Sequence, residues 1–406
     1  MKKNVLFVIN SMGRAGAERV LISLLRTMNK EEFDIDFFSV INRGEMFLEL
    51  PDYVNVINKN PSYESVLDRK GRIYLVKVVL KALFKRCYIF RYNPYLIRNF
   101  RLQKQRDVVK FDKLFWHALS ESHPMLEKEY DLAIAYTEGA STYYVANYVK
   151  SAKKAAFVHV DYTAAGYMKS LDKHYYDKFD KIFPVSQSVR DDFVMVYPEY
   201  SEKTTVYQNM VIPHEIIEAS KKGDGFTDDF DGLRILTVAR LHPQKALDIA
   251  IPAFAKLIKM GYDNVKWYIV GEGTERPLLE RLISRHKLQD KFILLGMRTN
   301  PYPFFYQCDI YVQASHFEGW SIALAEALVL SKPTVASNSA GTKEQIVPEE
   351  TGIIINLSEE NLTEALKRIV DSKQLRDKFS GNLQQLSVDY ARDLKLLYEL
   401  VGMEYR

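Results

Sequence analysis

The sequence predicts an α/β protein made of two Rossmann-like domains, each built on a parallel sheet. Three observations lead to this fold class: short, continuously apolar runs, helical patterns between them, and one polar break near the middle of the chain. Apolar runs without alternation are typical of parallel strands that are buried on both faces. Repeated strand–helix units give parallel sheets with right-handed crossovers.

The apolar runs form two series, and each series predicts one sheet. The first predicts strands at Val5–Ile9, Ile35–Val40, Val54–Ile57, Leu132–Tyr136, Ala156–Val160, Ile182–Val185 and Thr205–Tyr207. The second predicts strands at Ile235–Ala239, Val265–Val270, Phe292–Leu295, Ile310–Val312, Thr334–Ala336 and Ile353–Ile355. The clearest helical patterns lie at Glu18–Thr27, Leu247–Lys259 and Thr274–Arg285. Together the two series contain more strands than one sheet usually has, so we expect two domains.

The break between the two series lies at 209–233. It contains Pro213, a helical stretch at Glu215–Lys222 and a polar run that ends in several aspartates. This composition is typical of a linker. We therefore expect a first domain at 1–213 with a basic insertion at about 60–125, a second domain at 214–386, and a helix at 387–406 that is free to cross back to the first domain.

The composition is that of an ordinary globular protein of 406 residues, of which 47% are hydrophobic and 27% charged. Cys87 and Cys308 are the two cysteines of the chain, and they lie far apart in sequence. This number and spacing exclude a disulfide scaffold and a zinc module. No stretch approaches 18 apolar residues, and the run Val5–Ile9 is too short for a signal-peptide core. We therefore expect a cytoplasmic protein without a membrane span.

The positive charge is concentrated in one segment, 69–114, which holds 14 lysines and arginines and two acidic residues. Within it Lys77, Lys81 and Lys85 recur every fourth residue and share one helix face. A basic amphipathic helix with aromatic residues nearby suits an anionic membrane surface, at the inner face of the cell membrane. A domain helix with its lysines in water is an equal alternative. No recognition motif favours nucleic acid, and we expect none as a partner.

Two loops that follow predicted strands carry the residue types of an anion site. Asn10–Glu18 has small residues ahead of a predicted helix, whose first N–H groups attract anions. Arg240–Lys245 places two cations where open α/β sheets bind ligands, which suits a diphosphate without a metal ion. A tight turn and a pair of surface cations are the plain alternatives.

Glu318 and Glu326 form the most specific constellation. Glu318 precedes a predicted helix, and Glu326 lies eight residues later, inside an otherwise apolar part of it. The spacing is close to two helical turns, which puts them near one face. A buried carboxylate is costly unless it is paired or bound to a ligand. Binding of a diol such as a ribose explains Glu326, and an internal salt bridge is the alternative.

These residues carry a family resemblance. The chain resembles the retaining, nucleotide-sugar-dependent glycosyltransferases of glycosyltransferase family 4, which have the GT-B architecture of two Rossmann-like domains with a cleft between them. The features that match are the two glutamates with their surroundings, the arginine–lysine pair, the glycine turn Val270–Gly273, the loop Gly16–Arg19 and the stretch Ala340–Val347. The resemblance is strong over 233–356, moderate over 1–40 and 130–215, and absent over about 60–125.

The resemblance implies roles for the residues of the second domain. Glu326 looks like the carboxylate that holds the ribose hydroxyls, and Glu318 looks like the one that contacts the donor sugar near the reacting centre. Arg240 and Lys245 look like the clamp on the donor phosphates. At the start of a helix, the resemblance implies that the nucleotide sugar also contacts the N–H groups of Trp320, Ser321 and Ile322. It places the backbone at Met297 against the base of the nucleotide.

In the first domain the resemblance places Gly16 near the donor phosphate or the acceptor, and His159 near the donor sugar and the acceptor. It implies a retaining transferase that needs no metal ion or cofactor. The donor is a nucleotide sugar, with UDP favoured, and the acceptor is a glycan or a lipid-linked sugar of cell-surface polysaccharide biosynthesis. The alternatives are a non-catalytic sugar- or partner-binding protein, a nucleotide-sugar epimerase and a nicotinamide-dependent oxidoreductase.

Several positions depart from the family pattern or allow a plain interpretation. Ser321, Ala246 and Ala15 stand where glycine is usual. Since none of these changes alters the charge, we expect donor binding to persist with a different shape of the sugar pocket. His159 ends a predicted buried strand, so a hydrogen bond to the backbone is its alternative role. The acids of Asp34–Asp36 resemble a metal-binding pair, but we expect them on the surface at a sheet edge.

Overall fold

The computed structural model describes residues 2–65, 69–84, 93–107, 109–172, 174–386 and 389–405. The chain forms two compact units, Met1–Met210 with Tyr390–Arg406, and Val211–Asp389. Each unit contains one six-stranded sheet in which all paired strands are parallel. The prediction of an α/β fold with two Rossmann-like parallel sheets is confirmed.

The N-terminal unit has its strands in the spatial order β3-β2-β1-β4-β5-β6. They lie at Lys3–Ile9 (β1), Phe33–Ser39 (β2), Asn55–Val56 (β3), Glu129–Ala135 (β4), Lys150–Val158 (β5) and Lys181–Pro184 (β6). The helices of this part of the chain lie at Gly16–Thr27 (α1), Arg69–Phe84 (α2), Asn93–Gln105 (α3), Phe111–Glu121 (α4), Ala140–Tyr148 (α5), Lys169–Asp172 (α6) and Gln187–Val196 (α7).

The C-terminal unit has the strand order β12-β11-β10-β7-β8-β9. Its strands lie at Leu233–Val238 (β7), Val265–Val270 (β8), Phe292–Gly296 (β9), Ile310–Gln313 (β10), Thr334–Ser337 (β11) and Gly352–Ile355 (β12). Its helices lie at Pro213–Ser220 (α8), Leu247–Lys259 (α9), Arg276–Arg285 (α10), Tyr302–Gln307 (α11), Ile322–Val329 (α12), Ala340–Gln345 (α13), Glu359–Asp371 (α14) and Lys373–Gln385 (α15). Apolar clusters cover both faces of this sheet, as the continuously apolar strands predict.

The last helix, Lys395–Leu400 (α16), packs into the core of the N-terminal unit. Leu397 and Tyr398 are buried there, and the Tyr398 hydroxyl donates to Glu32 Oε2 at 2.8 Å. The backbone N–H of Gln208 donates to the Asp393 carboxylate at 2.7 Å. These contacts explain why 390–406 is part of the first compact unit although it follows the second in sequence.

The predicted strand at Thr205–Tyr207 is wrong. The segment runs beside β6, where the N–H groups of Thr205 and Tyr207 donate to the carbonyls of Ile182 and Pro184 at 3.0 and 2.9 Å. A parallel ladder also needs an N–H from the residue at 184. Proline has no N–H group, so the ladder is interrupted and the segment stays irregular.

The expected surface position of the Asp34–Asp36 pair is wrong for Asp36. Strand β3 covers β2 on one side, and Asp36 is only 5% exposed. Its carboxylate accepts hydrogen bonds from Asn55, Lys128 and Tyr130 at 2.7, 3.0 and 2.8 Å. Asp36 is therefore a satisfied structural carboxylate in the sheet, while Asp34 is exposed.

Within the described ranges, no helix is both long and apolar enough to cross a membrane. Nor do the described residues contain a group of three or more His, Cys, Asp or Glu side chains that could hold a metal ion.

Candidate functional site

The strand order of the C-terminal sheet reverses between β7 and β10, because β8 and β9 lie on one side of β7 and β10–β12 on the other. At such a point the loops after the two strands diverge and leave a crevice at their carboxyl ends, where open α/β sheets bind ligands. The loop after β7 carries Arg240 and Lys245, and the loop after β10 carries Glu318. The strand order therefore brings the predicted cations and the first predicted glutamate to one crevice.

The loop after β7 packs closely on the glycine turn that follows β8. A Cβ atom at Gly271 would lie 1.9 Å from the carbonyl oxygen of Ala239, and the φ angle of Gly271 is +151°. Only glycine fits this close approach. The loop continues through a short 3₁₀ turn, Pro243–Lys245, to Ala246, whose φ of 46° is in the left-handed region. Glycine adopts this conformation without strain, which explains why glycine is usual where Ala246 stands.

Lys245 and Glu318 meet directly in the crevice. The Lys245 ammonium donates to Glu318 Oε1 in a short ion pair, and the two side chains are 18% and 8% exposed. The Ser315 hydroxyl donates to the same carboxylate oxygen at 2.9 Å. The predicted phosphate cation is thus paired with the predicted sugar carboxylate. Arg240 lies in the same loop but is exposed, and no described residue pairs with its side chain.

The two loops are also tied together through their backbones. His316 N–H donates to the Gln244 carbonyl at 2.8 Å, and the Gln244 side chain donates to the Phe317 carbonyl at 3.0 Å. Ser315 is also bound to Ser337, the last residue of β11. Its N–H donates to the Ser337 hydroxyl at 2.9 Å, and its carbonyl accepts from that hydroxyl at 2.6 Å. Glu318 therefore stands on a loop whose position is fixed by two strands and a neighbouring loop.

Helix α13 supports the segment that connects Glu318 to α12. The N–H of Gly341 donates to the Glu318 carbonyl at 3.1 Å, and a Cβ atom at Gly341 would lie 2.3 Å from the Gly319 carbonyl oxygen. The Gln345 side chain accepts from the N–H of Ser321 at 3.2 Å and donates to its carbonyl at 2.9 Å. The Ser321 N–H, predicted to face the donor phosphate, is therefore already bonded to a side chain.

Glu326 lies inside α12 and is 1% exposed. The hydroxyl of Tyr302, the first residue of α11, donates to Glu326 Oε1 at 2.9 Å. The sequence analysis did not predict this tyrosine as a partner of Glu326. A carboxylate has two oxygen atoms that accept several hydrogen bonds, which is the type of group that a diol needs as a partner.

The other predicted donor-binding residues lie at two loop ends of the same unit. Met297 follows β9 and is 53% exposed, and Ile322 is the first residue of α12. Trp320 is partly buried, and its indole Nε1 is buried without a hydrogen-bond partner among the described residues. The Ser321 hydroxyl caps α12 by accepting from Leu324 N–H.

The N-terminal sheet reverses its strand order between β1 and β4, which places a second crevice at their carboxyl ends. Gly16 is exposed and begins α1 next to this crevice. The N-cap residue of α1 is Ala15, which has no side-chain hydrogen bond to offer to the first turn. Asn10, at the end of β1, donates to the Glu138 carbonyl at 2.6 Å and accepts from Ser141 N–H at 2.9 Å.

His159 follows β5 and is held by a buried carboxylate. Glu138, in the loop after β4, is 5% exposed, and its Oε1 accepts from the backbone N–H groups of His159 and Val160. Burial raises the pKa of the Glu138 carboxyl, and these N–H groups oppose the shift.

The ring of His159 also has a defined state. Burial lowers its pKa to about 4, against a hydrogen bond to the backbone of Tyr136 that favours the charged form. The ring is therefore neutral near pH 7. Its Nε2 is buried and has no partner within the described part of the chain, so it is available to accept a hydrogen bond from a substrate hydroxyl. The backbone hydrogen bond that the sequence analysis offered as an alternative is present as well.

The basic helix α2 exposes both charge and apolar surface. Lys77 and Lys81 are exposed, and Lys85 lies outside the described residues. Four apolar side chains of the helix are also exposed, by 47–73%: Ile73, Val76, Leu80 and Phe84. They recur at intervals of three and four residues and so form one stripe. Other apolar residues of the described part of the helix are packed, since Ala82 and Leu83 are buried. The membrane interpretation and the interpretation as a domain helix with its lysines in water therefore both stay predictions.

Four residues of the two crevices were missed by the sequence analysis: Glu138, Tyr302, Ser315 and Gln345. Glu138 carried one usable signal, because the polar stretch Thr137–Gly139 follows a buried strand at a predicted carboxyl end. Tyr302 and Gln345 carried none, because their roles depend on packing between helices that are distant in sequence.

Comparison with known proteins agrees with this geometry. Residues 228–385 match the family described as "Glycosyl transferases group 1". A curated relative from Campylobacter jejuni, N-acetylgalactosamine-N,N'-diacetylbacillosaminyl-diphospho-undecaprenol 4-alpha-N-acetylgalactosaminyltransferase, is 30% identical over 51% of this chain and 55% of its own length. The lipopolysaccharide core biosynthesis glycosyltransferase LpsD of Rhizobium meliloti is 28% identical over 46% and 60%. The chain thus spans little more than half the length of these relatives.

Among solved structures, HepE of Anabaena in complex with UDP superimposes with a TM-score of 0.66 at 17% identity, over 99% of this chain and 100% of that chain. At this identity the likeness shows the fold, which is GT-B. The fold, the match of the C-terminal unit to glycosyl transferases group 1 and the named relatives together support a GT-B glycosyltransferase.

Proposed function

We propose that the protein is a retaining, metal-independent glycosyltransferase that uses a nucleotide sugar, with UDP as the favoured nucleotide, and acts in cell-surface polysaccharide biosynthesis. The observation that carries the proposal is the cluster of Lys245, Glu318 and buried Glu326 on the C-terminal unit, where the chain matches the glycosyltransferase family. The HepE structure contains bound UDP, and the name of the Campylobacter jejuni relative includes a sugar linked to diphospho-undecaprenol. Both support a UDP-sugar donor and a glycan or lipid-linked acceptor.

The cluster has the charges that the reaction needs. In the transfer, the bond between the anomeric carbon and the phosphate oxygen breaks, and the diphosphate leaves with the electron pair. A bond forms from the acceptor oxygen to the anomeric carbon, and the hydroxyl proton passes to the leaving phosphate. Lys245 and Arg240 lie in one loop and can stabilise the departing charge in the way that a metal ion does in other enzymes. Glu318 can stabilise positive charge that develops on the sugar.

The ribose and the sugar hydroxyls also find complementary groups. Glu326 offers a buried carboxylate for a diol, with Tyr302 fixing its orientation. In the N-terminal unit, Nε2 of the neutral His159 ring can accept a hydrogen bond from a hydroxyl group, either of the sugar that is transferred or of the acceptor substrate.

Transfer is tested with a panel of nucleotide sugars in buffer containing EDTA, followed by NMR of the sugar released or transferred. We expect one donor to be consumed, with the anomeric configuration of the donor kept in the first product. Inversion of the anomeric centre contradicts a retaining mechanism, and loss of turnover in EDTA that divalent cations restore contradicts metal independence. Consumption that yields a new nucleotide-sugar epimer instead indicates an epimerase.

We further propose that α2 places the enzyme on the cytoplasmic face of an anionic membrane, where lipid-linked acceptors are exposed. The exposed stripe of apolar side chains next to Lys77 and Lys81 supports this, because apolar burial and attraction to anionic lipids add in surface helices. Membrane association contributes to the choice of acceptor and not to the chemistry of transfer.

Membrane association is tested by co-sedimentation with vesicles of phosphatidylcholine alone or with one third phosphatidylglycerol. We expect binding to the anionic vesicles only. Each lysine near the surface contributes about 1 kcal/mol, so Lys77→Ala/Lys81→Ala should reduce binding about 30-fold. The control Lys221→Ala/Lys222→Ala removes equal charge from exposed positions of the C-terminal unit and should bind as wild type does. Equal binding by all three proteins contradicts a role for α2.

A further inference from the structure

A small pocket next to Lys245 lies between the carboxyl ends of β7 and β10. Its lining includes Lys245, Ser315, Gln313 and Tyr311. Gln313 is the last residue of β10 and is 4% exposed, and Tyr311 is fully buried. The pocket therefore extends the crevice of the C-terminal unit inward, from the charged pair to a buried carboxamide.

The carboxamide of Gln313 is anchored at one end only. Its Oε1 accepts a short hydrogen bond from the hydroxyl of Ser321. Its Nε2 is buried and has no partner in the part of the chain that the structure describes. A buried N–H donor without a partner destabilises the structure, which is a reason to expect an oxygen atom at this position.

Ser321 is the residue that stands where glycine is usual in the family that the sequence resembles. Its hydroxyl performs two tasks, since it accepts from Leu324 N–H at 3.3 Å and donates to Gln313. A glycine can do neither. The serine thus fixes which end of the Gln313 carboxamide faces the pocket, and it presents the N–H donors there.

We propose that Gln313 is a further donor-binding residue, whose Nε2 donates to a non-bridging phosphate oxygen of the nucleotide sugar in the pocket that it shares with Lys245. This inference rests on the proposed function and deepens it. A cation and an amide donor that meet at one pocket suit an anionic oxygen better than a neutral hydroxyl. The carboxamide N–H group is a neutral hydrogen-bond donor. It strengthens phosphate binding without placing a second buried charge in the site, which would have to be compensated when no ligand is bound.

The pocket also has to be distinguished from one that serves the fold alone. An ordered water molecule bound to Gln313 Nε2 would satisfy the same donor without any ligand. In that case the carboxamide would support only Ser321 and the start of α12. The two roles differ in what they do to the binding of phosphate-bearing ligands, which makes them separable by experiment.

The test is isothermal titration of wild type, Gln313→Leu and Gln313→Glu with UDP, inorganic pyrophosphate and uridine. We expect Gln313→Leu to weaken UDP and pyrophosphate about tenfold, the range of a hydrogen bond to a charged group, and to leave uridine unchanged. Gln313→Glu keeps the shape but places a carboxylate against the phosphate, and we expect it to weaken UDP further. Gln307→Leu removes a carboxamide at the end of α11, outside the pocket, and serves as the matched control.

Several results overturn the inference. Unchanged affinity for UDP in both Gln313 variants, with a change in thermal stability alone, assigns the residue to the fold. If Gln313→Leu does not fold, Ser321→Ala keeps the carboxamide but removes its anchor, and unaltered UDP and pyrophosphate binding in that variant contradicts the proposal. A wild type that binds none of the nucleotides contradicts the proposed function itself, which separates the two failures.

Discussion

Because Lys245 and Glu318 form an ion pair, removing the charge of Glu318 is expected to strengthen UDP binding, whereas removal of a site residue usually weakens ligand binding. A donor diphosphate has to draw Lys245 away from Glu318, because both carboxylate and phosphate compete for the same ammonium group. Glu318→Gln removes the competitor and also removes a negative charge that repels the diphosphate. Since Ser315 still donates to the remaining carbonyl oxygen, the side chain is expected to keep its place. The variant should therefore bind UDP more tightly while it loses transfer.

The size of the effect follows from the burial of the pair. With side chains 18% and 8% exposed, the pair is neither in bulk water nor in a dry core, so an effective dielectric constant near 20 applies and the gross attraction is about 4 kcal/mol. Desolvation offsets a large part of this attraction. A net gain of about 1–2 kcal/mol for the phosphate gives UDP binding that is about 5- to 30-fold tighter.

The assay is calorimetric titration of UDP into wild type, Glu318→Gln, Lys245→Ala and the double variant, with turnover measured in parallel. Tighter binding in Glu318→Gln should disappear in the double variant, because it depends on the freed ammonium group. Glu349→Gln breaks the exposed pair with Arg368 and is the control for removing a carboxylate from any ion pair. Weaker or unchanged UDP binding in Glu318→Gln refutes the competition between carboxylate and phosphate.

Three further outcomes are expected. Tyr302→Phe removes the hydroxyl that orients Glu326 and should weaken uridine and UDP by a similar factor, about 3- to 10-fold, whereas pyrophosphate binding should not change; calorimetry of the three ligands distinguishes these. Glu138→Leu removes the acceptor of the His159 and Val160 N–H groups and so releases the backbone that positions His159; kcat should therefore fall while the affinity for the nucleotide sugar is kept. Glu138→Gln still offers an acceptor oxygen and should restore kcat in steady-state assays. Because the folded pKa of His159 is lowered to about 4, the unfolded chain binds more protons between pH 6.5 and 4, and stability falls as the pH drops through that window. His159→Asn should remove about 3 kcal/mol of this loss in urea unfolding, and an unaltered pH dependence contradicts the buried neutral ring.

The sheets were predictable because their strands carry a local signal. Twelve continuously apolar runs match the twelve strands of the two described sheets, since parallel strands that are buried on both faces cannot alternate. The error at Thr205–Tyr207 shows the limit of this signal, because the interruption comes from Pro184 on the neighbouring strand. The buried position of Asp36 depends likewise on Lys128 and Tyr130, which lie more than 90 residues further along the chain.

The candidate site was predictable where a loop directly follows a strand. Arg240, Lys245 and Glu318 all stand at the carboxyl ends of β7 and β10, and strand order alone brings those ends together. The partners of these residues were not predictable. Gln345 and Tyr302 belong to helices that reach the crevice by packing, and the bond between Ser321 and Gln313 depends on one side-chain rotamer of each.

The most direct test of the central claim is donor binding and turnover across a panel of nucleotide sugars, in wild type, Lys245→Ala and Glu326→Ala. We predict that wild type binds one donor with micromolar affinity and consumes it, and that both variants lose at least tenfold in affinity because each removes a charged contact to the donor. A wild type that binds no nucleotide sugar, or variants that bind the donor as tightly as wild type does, would contradict the account.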